Sequence, residues 1–84
     1  HGTLSIGFIG LAEALKALVD YLFEEVGCNR IEAYHDSNNP NSGRVMQKSG
    51  MTYEGTMRQA GCNNQGIIDV SHWAILRSDR EEQL

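Results

Sequence analysis

The stretch that decides the fold is L-A-E-A-L-K-A-L-V-D-Y-L-F-E-E-V-G-C-N-R-I-E-A, Leu11 to Ala33. Leu11, Leu15, Leu18, Leu22 and Val26 recur at steps of four, three, four and four. That is one stripe of a helix with 3.6 residues per turn. Ala14, Val19 and Phe23 widen it, while Glu13, Lys16, Asp20 and Glu24 share the opposite face. The stripe is read as core-facing. Gly27 is the stop, because glycine enters the left-handed region at a helix end without a steric penalty. The period then changes from helical to two. Ile31, Ala33 and His35 face one way, Glu32 and Tyr34 the other, so Arg30 to His35 is a strand.

Working outward, Thr3 to Ile9 (T-L-S-I-G-F-I) is branched and aromatic and reads as a strand, with Gly7 marking a bulge or a close backbone approach. Asp36 to Asn39 is a polar loop. Asn39-Pro40 then signals a helix start, since Asn caps well and Pro suits the first helical position. The second helix is expected from Pro40 to about Ser49, ended by Gly50. It is short, with little apolar surface beyond Val45 and Met46, and needs tertiary support. Met51 to Arg58 alternates and reads as a strand, Gly61 to Gly66 as a turn, and Ile67 to Leu76 as a long strand, together an antiparallel hairpin. Arg77 to Leu84 is expected as a flexible, frayed polar tail. The order is strand, helix, strand, helix, strand, strand. The fold class is α/β (α+β), a mixed, mostly antiparallel sheet with two helices in one domain over 1–84.

The 84 residues bury only about 60–65% of the surface exposed by the unfolded chain, so support from a partner subunit is plausible from length alone. Hydrophobic residues at 40% supply enough material for a core and argue against disorder. Seven basic residues against eleven acidic give a net charge of −4, with the bases spread along the chain. A nucleic-acid footprint needs them clustered. No apolar run is long enough for a membrane helix, and the first ten residues carry no Lys or Arg, so no signal-peptide n-region is read. Cys28 and Cys62 are far apart and are read as free thiols of a cytoplasmic protein. His1, His35 and His72 are dispersed, and no metal-ligand spacing exists. The chain opens on His1 rather than Met, which reads as processing or a longer parent.

Three stretches together resemble the C-terminal half of the GNAT superfamily of acetyl-CoA-dependent N-acetyltransferases, in the branch that acts on ribosomal proteins and similar amines. Leu11 to Ala33 is similar to the family's long helix and following strand. Asn38 to Met51 (N-N-P-N-S-G-R-V-M-Q-K-S-G-M) is similar to its pattern of Asn, then Ser three later, opening a helix that ends in K-x-G-[FM]. Tyr53 to Gln59 (Y-E-G-T-M-R-Q) is similar to the next strand. The family's first half, which supplies much of the acceptor cleft, is not in this sequence.

The resemblance implies acetyl-CoA as cofactor and a small amine or protein N-terminus as acceptor. It places Asn39 and Ser42 near the pantetheine arm, with the Ser42 hydroxyl bonding the departing thiolate as the catalytic residue. Capping is the alternative role for Asn39. Arg44 would reach a CoA phosphate, or else is a solvated surface arginine. The family's diphosphate cradle, [QR]-x-x-G-x-[GA], has two alignments here. Either Gly7-Phe8-Ile9-Gly10 is a degenerate cradle, or L-S-I-G-F-I-G is the strand before a deleted one, which is preferred. Phe8 and Ile9 are the candidate cofactor contacts at this junction.

The family's general-acid Tyr falls on Met46 and a branch-specific Glu on Gly61, so neither acid nor base is where the resemblance puts it. His35 is a base candidate by residue type, against a structural role. His72 and Trp73 read as core or interface residues, and Glu32 and Glu54 as exposed strand charges. The expectation is an acetyltransferase half domain, weak or inactive alone, associating as a homodimer. The rivals are a non-catalytic structural or interaction module and one half of a split enzyme.

Overall fold

The computed structural model of the chain describes residues 2–6 and 12–83. Strand β1 is Thr3–Ile6, helix α1 Ala12–Tyr21, strand β2 Arg30–Asp36, helix α2 Pro40–Lys48, strands β3 Thr52–Asn63 and β4 Gly66–Leu76, and helix α3 Arg77–Gln83. The sheet order is β1-β2-β4-β3. β1 runs parallel to β2, and both other pairings are antiparallel. Parallel neighbours need a crossover, and the long helical stretch supplies it. The expected mixed sheet with its strand–helix alternation is therefore what the chain forms.

The helix stripe is buried, with its centre shifted. Leu15, Val19, Leu22 and Phe23 lie in the core, whereas Val26 and Ala14 are exposed. The cause is local. After Tyr21 the helix widens into a π turn, Leu22–Val26. The Leu22 carbonyl accepts from Gly27 N at 3.0 Å and Cys28 N at 3.1 Å. Rotation through that turn brings Phe23 inward and leaves Val26 outside. Gly27, at φ 81°, occupies the left-handed region expected of it.

Strand β2 buries Ile31, Ala33 and His35 in strict alternation. Helix α2 ends in paired bonds, Met51 N to the Met46 carbonyl and Gly50 N to that of Gln47, both 3.1 Å, with Gly50 at φ 90°. This Schellman closure brings Met46 and Met51 together into the core.

Two expectations are corrected. The hairpin strands run on to Asn63 and resume at Gly66, so its turn is only Asn64-Gln65. Bulges between Tyr53 and Gly55 and between Met57 and Gly61 absorb the extra length and break the expected alternation. Residues Arg77–Gln83 are helical, not frayed. Arg77 Nη2 donates to the carbonyls of Phe23 and Cys28 at 2.9 and 2.8 Å. The Arg77 and Arg80 guanidiniums lie over the Phe23 ring, 5.5 and 5.7 Å from its centroid. Arg80 also pairs with Asp20 and Glu24.

Register assigns the two sheet faces. Ile31, Ala33 and His35 share theirs with Ile75, Trp73 and Ser71. This is the face whose residues join those of α1 and α2 in the core cluster of Leu15, Val19, Phe23, Ile31, Met46 and Ile75. Arg30, Glu32 and Tyr34 share the other with Leu76, Ala74 and His72. Among the described residues no helix is long and apolar enough to cross a membrane.

Candidate functional site

The start of α2 is built by the end of β2. Asp36 organises the loop: its Oδ1 accepts from Asn38 N, and its carbonyl accepts from Asn39 N, both at 2.9 Å. Asn39 occupies the N-cap position, but its side chain makes no capping bond. The capping role weighed for it is therefore not what the geometry shows. Pro40 opens the helix. Ser42 follows, half-buried in the first turn, and Gly43 is buried. Arg44 is exposed and donates to Asn41 Oδ1 at 3.2 Å. Asn39 at the N-cap and Ser42 and Arg44 in the N-terminal half of α2 thus all lie just after β2, with Ser42 and Arg44 two residues apart and so on different sides of the helix.

Phe8 and Ile9 lie outside the described residues, as do Gly7 and Gly10. Strand β1 pairs with β2 from Thr3↔Arg30 to Ile6↔Ala33, while β2 continues to Asp36. Asp36, the last residue of β2, opens the loop that leads to the start of α2.

Met46, on the position of the family acid, is fully buried and apolar. Gly61, on the position of the branch-specific Glu, is paired with Ile68, and a Cβ there would stand 3.0 Å from Val70 Cγ2. A larger side chain does not fit without a shift. His35 is 5% exposed with both ring nitrogens engaged. Trp73 Nε1–H donates to Nε2 at 3.1 Å. The ring proton is thereby assigned to Nδ1, which donates to the Asp36 carbonyl at 2.7 Å. With no free lone pair, His35 takes the structural role.

Several groups escaped the sequence reading. Tyr53 Oη, Thr56 Oγ1 and Ser71 Oγ form a hydroxyl chain, with links of 2.6 and 2.9 Å. Tyr53 meets Trp73 edge-on at 5.4 Å between centroids. The bulge after Met57 sets Gln59 at φ 54°, its N–H held by Asp69 Oδ1 at 2.8 Å. An open groove of about 750 Å³ lies there, lined by Met57, Arg58, Gln59 and Asp69. It is lined by the hairpin, not by the Asn39–Arg44 turn. Bulges are not read from alternation alone, so the strand pattern of Met51 to Arg58 did not mark this place.

Glu32 and Glu54 are more than exposed strand charges. Arg30 donates to both, at 2.9 Å to Glu32 Oε1 and at 3.1 Å from Nη1 to Glu54 Oε2. Ser5 Oγ donates to Glu32 Oε2 at 3.1 Å. The Arg30 hydrogen bonds hold both carboxyls below the usual carboxylate range and raise the guanidinium further above its own. On the same face Tyr34 and His72 stack at 5.7 Å. Cys28 is buried and Cys62 exposed, both as free thiols. Among the described residues no group of three or more His, Cys, Asp or Glu is placed to hold a metal ion.

The family profile of the acetyltransferase (GNAT) domain matches residues 6–52, which run from β1 through α2 to the start of β3. The chain belongs to the GNAT acetyltransferase family. It is 34% identical, over 98% of its own length and 52% of the relative's, to the probable N-acetyltransferase YjcK of Bacillus subtilis (strain 168). A GNAT-family acetyltransferase from Bacillus anthracis is 34% identical in sequence, with a TM-score of 0.73 over 80% of this chain and 40% of that one. A spermidine N-acetyltransferase, SpeG of Vibrio cholerae, shares the fold at a TM-score of 0.78 and 21% identity, over 86% of this chain and 43% of that one. This GNAT domain thus spans about half the length of the curated relative it matches.

Proposed function

We propose that this GNAT domain supplies the second half of an acetyl-CoA:amine N-acetyltransferase, and that this half by itself is weak or inactive. The observation that carries the reading is the junction of β2 and α2. There Asp36, the last residue of β2, organises the loop into α2, whose N-terminal end carries Asn39, Ser42 and Arg44. Residue types at that turn suit acetyl-CoA as substrate. The exposed Arg44 guanidinium meets phosphate charge without rearrangement of the core. The half-buried Ser42 hydroxyl is the candidate donor to the departing sulfur.

In the reaction, the amine nitrogen forms a bond to the thioester carbonyl carbon and the carbon–sulfur bond breaks. The amine proton is lost and the thiolate gains one. Backbone N–H groups would polarise the carbonyl oxygen. Phe8 and Ile9 remain proposed cofactor contacts. The deleted phosphate cradle remains part of the same proposal and accounts for weak activity. A small amine or a protein N-terminus is the proposed acceptor.

A second reading, association as a homodimeric module, draws on β3. This edge strand is exposed along most of its length, with Tyr53 at 51% and Met57 at 56% exposure. Long exposed apolar edges invite pairing with another strand. The match to half of a relative keeps a split enzyme as the third arrangement. Calorimetric titration of acetyl-CoA into the purified chain, with its mass in solution measured alongside, separates these readings. Saturable micromolar binding is expected from the first. Heat-silent titration at millimolar ligand removes it and leaves association. Binding that appears only with a complementary first-half chain selects the split enzyme.

A further inference from the structure

We propose that the hydrogen-bonded His35–Trp73 pair is a positioning element. It seats Gly43, and thereby holds the first turn of α2, with Asn39 and Ser42, against the end of β2. What that turn is held for rests on the acetyltransferase reading; that it is held rests on geometry alone.

Helix α2 has little of its own to anchor this end. The Asn39 side chain does not cap it, and its first turn carries no acidic residue to complement the helix dipole. Its apolar anchors, Val45 and Met46, lie in its second half. What the first turn does have is a close approach. A Cβ on Gly43 would stand 3.3 Å from His35 Nε2, and 3.5 Å from both His35 Cε1 and Trp73 Cζ2. Glycine is otherwise a poor residue inside a helix, and here its missing side chain lets the backbone settle on the two rings.

The seat is itself fixed. His35 lies opposite Ser71 and Ala33 opposite Trp73, so His35 and Trp73 are diagonal neighbours on one sheet face. The indole N–H fills the Nε2 lone pair and the Asp36 carbonyl takes the Nδ1 proton. A flipped imidazole would lose both bonds. The ring edge that Gly43 meets is therefore held in one orientation. His35 acts through α2, as a positioning residue.

The test uses the full chain labelled with ¹⁵N. Imidazole ¹⁵N shifts should report the Nδ1–H tautomer for His35. In Trp73→Phe the indole donor is lost, so the tautomer preference should relax. Amide exchange at Gly43 and Arg44 should then quicken about tenfold or more, while Ile31 and Ile75 stay protected. His35→Gln, whose side-chain oxygen can accept the indole N–H, should retain slower exchange at these two amides than His35→Leu. Should Trp73→Phe fail to fold, Gly43→Ala keeps the pair and disturbs only the docking; it should open the same two amides with the tautomer retained. Unchanged exchange at Gly43 and Arg44, or a uniform rise across the sheet, overturns the proposal. Acetyl-CoA titration of the same samples should show affinity about fivefold weaker in Trp73→Phe at unchanged stoichiometry. A parent chain that binds no acetyl-CoA, alone or with a complementary first-half chain, overturns the acetyltransferase reading, while the exchange data still decide the seat.

Discussion

Arg30 shows how one side chain converts a sheet surface into a network. It links Glu32 on its own strand to Glu54 on β3, across the intervening β4. Both carboxyls are held below their ordinary values, chiefly by the Arg30 hydrogen bonds. A carboxylate depressed in this way binds fewer protons folded than unfolded. Its stabilisation is fully present above the unfolded value of about 4.3 and is lost as pH falls through the folded one. Glu54 is 40% exposed along its side chain, so solvent screening keeps its share under about 1 kcal/mol. Thermal melts from neutral pH down to about pH 3 should show a falling midpoint, and Glu54→Gln should flatten the slope. Equal slopes would mean that the network does not survive in solution. Met46 is the opposite kind of residue, fully buried and apolar. Met46→Ala should lower stability by about 2–5 kcal/mol in urea unfolding, through lost transfer energy and the cavity left behind.

Among the elements, the helix–strand unit from α1 to β2 was the most legible in sequence. Its two periods are dictated by backbone geometry, and Ile31, Ala33 and His35 are buried as alternation requires. The centre of the α1 stripe was not legible, because the π turn depends on where the Leu22 carbonyl finds its donors. Gly27 could be read as a stop, and its φ of 81° makes it testable. Gly27→Ala should cost about 1–2 kcal/mol, the penalty for a Cβ in the left-handed region. Helix α3 was misread as a loose tail because its own sequence, R-S-D-R-E-E-Q, has no apolar stripe. It is held by contacts with residues more than forty positions earlier. Arg77→Ala removes a charged donor from two carbonyls, one of them that of buried Cys28, and should cost about 1.5–3 kcal/mol. Faster amide exchange confined to 77–83 would accompany it, and unaltered protection there would refute this account of α3.

At the scale of the molecule, the helical segments Ala12–Val26 and Pro40–Lys48 both contribute to a core on one sheet face, while the other face carries the Arg30 network and the Tyr34–His72 pair. Edge strand β3 remains largely exposed. The proposed association through that edge predicts that Met57→Lys lowers the mass measured by sedimentation, since a central charge opposes strand pairing. An unchanged dimer would place the contact elsewhere.

Sequence by itself determined the order of the elements from β1 to β4, the mixed sheet, the burial of β2 and the family. These follow from periodicity, caps and contiguous motifs, all local in the chain. The seating of Gly43 on His35 and Trp73, the double bulge in β3 and the docking of α3 were decided only by tertiary structure. Each joins side chains from distant segments. Whether a lone pair, a carbonyl or a ring meets its partner there depends on ångström-scale placement that no local pattern encodes.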